Sequence, residues 1–102
     1  IPATFLYQDA ACVAFADIHP KAPVHILIVP REHIASLQAL RPDQRELSSQ
    51  LLAAVQQVAA QTGVADTGYR LITNVGANAG QIVPHLHWHL LGGKHLGPKI
   101  VD

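Results

Sequence analysis

Three histidines alternate with apolar residues in the run His85-Leu86-His87-Trp88-His89. Side chains alternate faces along an extended chain, so a strand over about residues 85–91 sets all three imidazoles on one side. Leu86, Trp88 and Leu90 then project to the other side, toward a core. Each buried imidazole without a partner costs about 1–3 kcal/mol, so a chain that merely needed a strand would not place three of them together. Three structural histidines with satisfied partners are the bland alternative; the preferred reading packs one face of this strand and leaves the other for chemistry.

Two chemistries use such a face. Imidazoles at i and i+2 ligate zinc on some strands, with His25 or Asp17 supplying a further ligand where cysteine is scarce. Alternatively, one imidazole is a nucleophile that its neighbours orient while they stabilise developing charge. An ordinary histidine, with a pKa of about 6.5, is largely neutral and nucleophilic near pH 7. Spacing alone leaves both readings open.

The remaining composition narrows the partners. The chain has 102 residues, 49% of them hydrophobic and 14% charged, which suits one compact α+β domain. Net charge is zero and the Lys and Arg residues are spread along the chain, so no basic stripe serves a nucleic-acid backbone. A nucleotide-sized anion would instead be held by backbone amides, helix ends and histidines. Cys12 is the only cysteine, which excludes an intramolecular disulfide and favours a reducing, cytoplasmic setting; its apolar neighbours mark it as core. No apolar run is long enough to span a bilayer, so no membrane partner is expected.

Strands are expected over residues 4–8, 12–15 and 24–29, with Ile26 and Ile28 facing one side of the third and His25, Leu27 and Val29 the other. Residues 34–40 read as a short helical turn. A long helix starts near Pro42-Asp43, carries the stripe Leu47, Leu51, Val55, Val58, Ala59, and ends at Gly63. A strand over residues 69–74 and a glycine-rich loop through Gly80 and Gln81 lead into the histidine strand. Strands, one long helix, then strands again describe an antiparallel sheet covered on one face. His19, His33 and His95 read as ordinary loop or surface residues. Asp17, in a proline-flanked loop, reads from its residues alone as a turn former.

The run His85-Leu86-His87-Trp88-His89-Leu90-Leu91 resembles the signature of the histidine triad (HIT) family at every position. Within that family the chain is similar to the Hint branch. The supporting runs are Phe15-Ala16-Asp17-Ile18, Ala22-Pro23-Val24-His25-Ile26-Leu27-Ile28-Val29-Pro30, Gly80-Gln81, Leu90-Leu91-Gly92-Gly93 and Gly97-Pro98. The resemblance implies a HIT-like fold: a five-stranded antiparallel sheet with one long and one short helix, continued across a homodimer. It implies an enzyme that cleaves purine nucleoside phosphoramidates, with neither cofactor nor metal. His87 would be the residue nucleotidylated, His89 would contact phosphate oxygens, and His85 would orient His87, partly through its carbonyl. His25 would support the cluster. Asp17 would bind the ribose, Phe15 and Ile18 would line the base pocket, and Asn74 would sit near phosphate and leaving group. Gly80, Gln81 and Ile82 would border the phosphate, with the amides of Gly80 and Ile82 donating to it. A dinucleoside polyphosphate hydrolase of Fhit type and a non-catalytic nucleotide-binding or scaffolding dimer are the alternatives.

Three positions depart from the pattern. Ile82 stands where many Hint chains carry Ser or Thr, so a hydroxyl contact to phosphate or leaving group is lost. Trp88 replaces a smaller aliphatic residue and is expected in the core. The amphipathic stretch that Hint chains carry before the position of Ile1-Pro2-Ala3 is expected to be absent, leaving a single HIT domain over residues 1–102.

Overall fold

The computed structural model describes residues 4–98 and residue 100; Ile1-Pro2-Ala3 lies outside the described residues. Five strands form one antiparallel sheet: β1 (Phe5–Gln8), β2 (Cys12–Ala16), β3 (Val24–Pro30), β4 (Tyr69–Ile72) and β5 (Trp88–Gly92). Their order across the sheet is β1-β2-β3-β5-β4. A long helix, α1 (Arg45–Gln61), packs on β1, β2 and β3, and a single turn, α2 (Val64–Thr67), follows it.

The apolar stripe of α1 is the sequence expectation made structural. Leu51, Ala54, Val55, Val58 and Ala59 are buried, and Leu47 packs at the margin. They meet Cys12 and Ala14 of β2, Ile26 and Ile28 of β3, and Leu90 of β5. The helix begins at Arg45, later than expected, because Pro42-Asp43 forms a turn whose Arg41 amide donates to the Gln44 side chain at 2.8 Å. It stops where Gly63 takes φ +82°, a left-handed conformation that suits glycine. The expected helical turn over residues 34–40 contracts to a 3₁₀ turn at Leu37–Ala39.

Two strand boundaries differ in ways that matter. β4 ends at Ile72, which frees Thr73 and Asn74 from the ladder. β5 begins only at Trp88, so His85 and His87 precede it and are not strand residues. The register pairs Ile28 with Trp88, and two residues further on β3 ends in Pro30, which has no amide to donate. The approaching chain bonds elsewhere: the Leu86 amide donates to the Ile34 carbonyl at 2.6 Å and the His85 amide to the Val83 carbonyl at 2.9 Å. Leu86 is still buried, and Trp88 packs beside the core with its indole N–H unpartnered. Among the described residues no helix is long and apolar enough to cross a membrane.

Candidate active site

The sheet face opposite α1 carries a groove of ≈ 780 Å³. Phe15 of β2 with Leu27 and Val29 of β3 forms its apolar floor, since these are the residues that alternate away from Ile26 and Ile28. His85, His87 and His89 line one side, Asp17 and Asn74 one end, and the loop Gly80-Gln81-Ile82-Val83 the rim.

Hydrogen bonds assign the tautomers. A carbonyl oxygen only accepts, so His87 Nδ1, 2.8 Å from the His85 carbonyl, carries its proton and leaves Nε2 with a free lone pair. Thr73 donates its hydroxyl to the His87 carbonyl at 2.8 Å and fixes the same segment from the β4 side. The Lys21 amide donates to His25 Nδ1 at 3.0 Å, which puts the His25 proton on Nε2. That N–H faces His89 Nδ1 at 2.9 Å, so His89 accepts on Nδ1 and carries its own proton on Nε2. Burial above all, then His87 and His25, holds the His89 imidazole below the usual histidine range, while Asp17 pulls the other way. A neutral His89 that presents an N–H is the outcome.

His25 is 6% exposed and is the one buried polar residue of the described chain. Its Nε2 also lies 3.5 Å from Asp17 Oδ2. Because His25 Nδ1 is an acceptor and its Nε2–H goes to His89, this contact is the proximity of a carboxylate to a neutral ring rather than an ion pair. Asp17, His25 and His89 bring ligand-type atoms within 4.8 Å of one another, as a metal site would. The tautomers oppose that use: His25 presents an N–H, not a lone pair, and a metal would have to displace the Lys21 amide.

The remaining expected residues divide. Asp17 lines the groove and is also the turn former its loop suggested, with Oδ1 accepting the His19 amide at 2.8 Å. Asn74 is half-buried at the groove end. Ile18 is 84% exposed and lies outside the groove lining, so Phe15, Leu27 and Val29 supply the apolar surface. The Gln81 side chain staples the loop: it accepts from the Gly76 amide and donates to the Ala35 and Val83 carbonyls. Gly80 sits at φ +77° with its amide already donated to Ala77, which removes it as an anion donor. Ile82 is 91% exposed on the rim. His95 lies away from the groove.

Three contributors were not visible in the sequence. His19 lines the groove although it read as a loop residue. His33, read as a surface residue, has its Nδ1 3.1 Å from His85 Nδ1. Lys21 acts through its backbone amide, which leaves no side-chain signal.

Known proteins place this arrangement. The HIT domain family model matches residues 1–96. A purine nucleoside phosphoramidase of Escherichia coli is 41% identical over 100 residues, which cover 98% of this chain and 84% of that protein. An uncharacterized HIT-like protein of Synechococcus elongatus is 47% identical over 96 residues, covering 94% of this chain and 83% of its own length. A HIT family hydrolase from Clostridium thermocellum superposes with a TM-score of 0.95 at 48% identity, covering 99% of this chain and 88% of that one. The chain belongs to the HIT family.

Proposed function

We propose that this chain hydrolyses purine nucleoside phosphoramidates, such as adenosine 5′-monophosphoramidate, through a nucleotidyl group held covalently on His87. The observation that carries the reading is the 2.8 Å contact from His87 Nδ1 to the His85 carbonyl, which leaves Nε2 unprotonated on a ring that lines the groove. The Escherichia coli relative named a purine nucleoside phosphoramidase supports the substrate class.

His87 Nε2 attacks the α-phosphorus and forms a phosphorus–nitrogen bond. The bond to the amine breaks, and the amine leaves with the electron pair and takes a proton from water. His87 is then an imidazolium, and its remaining N–H still faces the His85 carbonyl. A water molecule attacks phosphorus and gives its proton to the hydroxide left by the first step. The bond from phosphorus to His87 Nε2 breaks with its electron pair returning to nitrogen, the nucleoside monophosphate departs and His87 is neutral again. Charge grows on the non-bridging oxygens as each nucleophile adds, and fixed donors are worth most there. His89 Nε2–H is the side-chain donor of the cluster, and the Ile82 amide has no hydrogen-bond partner among the described residues. The base rests on Phe15, Leu27 and Val29, with Asp17 and Asn74 at the ribose and phosphate.

A homodimer is part of this proposal. Among the described residues strand β4 is paired only with β5, and the edge this leaves invites the same strand of a second copy. Sedimentation at micromolar concentration with only monomer would overturn the dimer without touching the chemistry. A cytoplasmic setting fits a lone Cys12 that is buried with its thiol pushed up to about 11.

Rapid quenching during turnover, followed by intact mass, tests the reaction. One added nucleotidyl group on the wild-type chain is the expected result. Nucleotide binding with neither adduct nor turnover would favour a nucleotide-binding module.

A further inference from the structure

Outside the cluster around His87, one more imidazole has a specific partner. His33 is exposed, three residues past the end of β3, and its ring lies 5.1 Å from that of His85, tilted by 59°. The two are 52 residues apart in the chain. His85 Nε2 lies 3.1 Å from the Pro30 carbonyl, which only accepts, so that nitrogen carries the His85 proton. The neutral ring therefore turns a lone pair on Nδ1 toward His33, and His33 Nδ1 must be the donor across the 3.1 Å gap.

We propose that His33 is a positioning residue for the reaction proposed above: it holds the His85 ring, and through it the His85 carbonyl that orients His87. The inference rests on that reading of His87. Its force comes from where the ladder stops. Residues 85–87 lie before β5, so no ladder bond fixes the peptide whose carbonyl His87 uses; its N–H, on Leu86, is held by the Ile34 carbonyl, and its carbonyl end depends on His85. The His85 ring is anchored at both nitrogens, one by the strand that ends at Pro30 and one by His33. Loss of the His33 donor leaves the ring a single anchor, and its pivot strains the His85 Cα and tilts the carbonyl end of a peptide that is otherwise held at the Leu86 N–H. A nucleophile misplaced by about 1 Å costs up to roughly 100-fold in rate, so a partial release is expected to cost about 10-fold. His33 does not line the groove, and the apolar floor of Phe15, Leu27 and Val29 is untouched; of the lining, the released ring is that of His85.

Three variants test this. His33→Phe keeps a ring without a donor, and His33→Ala removes both. His33→Asn places an amide N–H near the position of Nδ1. Phe and Ala are expected to lower kcat for adenosine 5′-monophosphoramidate about 10-fold, with KM within about twofold and an unchanged unfolding midpoint, since His33 is exposed. Asn should recover most of the rate. Nitrogen-15 NMR of the free protein supplies a readout without turnover: the His85 Nδ1 resonance should move toward the free-imidazole position in Phe and Ala, and stay near wild type in Asn. Wild-type kcat in His33→Phe, an Asn variant as slow as Phe, or an unmoved His85 signal would each overturn the proposal. A wild-type chain that never cleaves the probe, with the His85 signal responding as expected, would instead overturn the reading of His87 as nucleophile.

Discussion

His87 Nδ1 lies 2.8 Å from the carbonyl oxygen of His85, two residues earlier in the same segment. A histidine thus orients its neighbour through its backbone, while its own ring is tied to Pro30 and His33. The side chain of His85 and its carbonyl do different work, and substitutions at 85 and 87 should separate them.

Replacing His87 with Ala is expected to lower turnover by at least ~10³-fold, as for other lost nucleophiles. Nucleotide affinity should change little, because Phe15, Leu27, Val29, Asp17 and Asn74 remain. Replacing His85 should hurt less, since the carbonyl survives any substitution. Steady-state kinetics with a parallel titration of bound nucleotide checks both; near wild-type turnover in His87→Ala would remove it as the nucleophile.

Ile82 is 91% exposed, so Ile82→Ser removes no core contact and should leave stability within about 0.5 kcal/mol. The new hydroxyl sits on the groove rim, where one added hydrogen bond is worth about 0.5–1.5 kcal/mol, or roughly 2- to 10-fold. The gain is expected in kcat and should vary with the leaving amine. Equal changes in kcat and nucleotide affinity across several amines would argue against a role at the departing nitrogen.

The depressed His89 pKa has a pH signature. The unfolded chain takes up this proton near the ordinary value of about 6.5, before the folded chain does. His89 therefore contributes fully above that pH, and its contribution is lost as pH falls from there through the folded pKa. Denaturant midpoints measured across this window should slope downward toward acid in wild type and less so in His89→Gln. Asp17 is the one named influence that raises the value, so Asp17→Asn should lower the His89 titration midpoint further in NMR. A midpoint that rose in Asp17→Asn would contradict the account.

Metal removal is expected to leave activity intact. The imidazole lone pairs of the Asp17–His25–His89 group are committed, with His25 Nδ1 on the Lys21 amide and His89 Nδ1 on the His25 N–H. Prolonged chelation that abolished turnover, with zinc alone restoring it, would mean that the tautomers are reversed and the mechanism is metal-assisted.

Gly92 closes β5 against α2. A Cβ there would lie 2.7 Å from Val64 Cγ1 and 3.2 Å from the Gly68 carbonyl. Gly92→Ala should destabilise by about 1–3 kcal/mol, the usual cost of overpacking. Val64→Ala in the same chain should recover part of that loss, because the two changes share one contact. Chemical denaturation of the single and double variants measures the coupling, and strict additivity would dispose of the clash.

Much of this protein is written locally. The α1 stripe, the inward Ile26 and Ile28 against the outward Leu27 and Val29, and the left-handed stop at Gly63 follow from periodicity and backbone preference. So does the grouping of His85, His87 and His89 beside one groove, although the reason given for it was a strand face. Only His89 is on the strand. Where β5 starts depends on which β3 residue it meets, and that residue is Pro30, 56 positions before Leu86 and without an amide to offer. The pairings that assign the protons, His25 with His89 and His33 with His85, span 64 and 52 residues. Composition and spacing choose residues able to hydrogen-bond, but which nitrogen donates is set by what the folded register brings within 3 Å or so. Hence His33, exposed as its sequence suggested, also ends against the triad, and a glycine amide that looked free is already used.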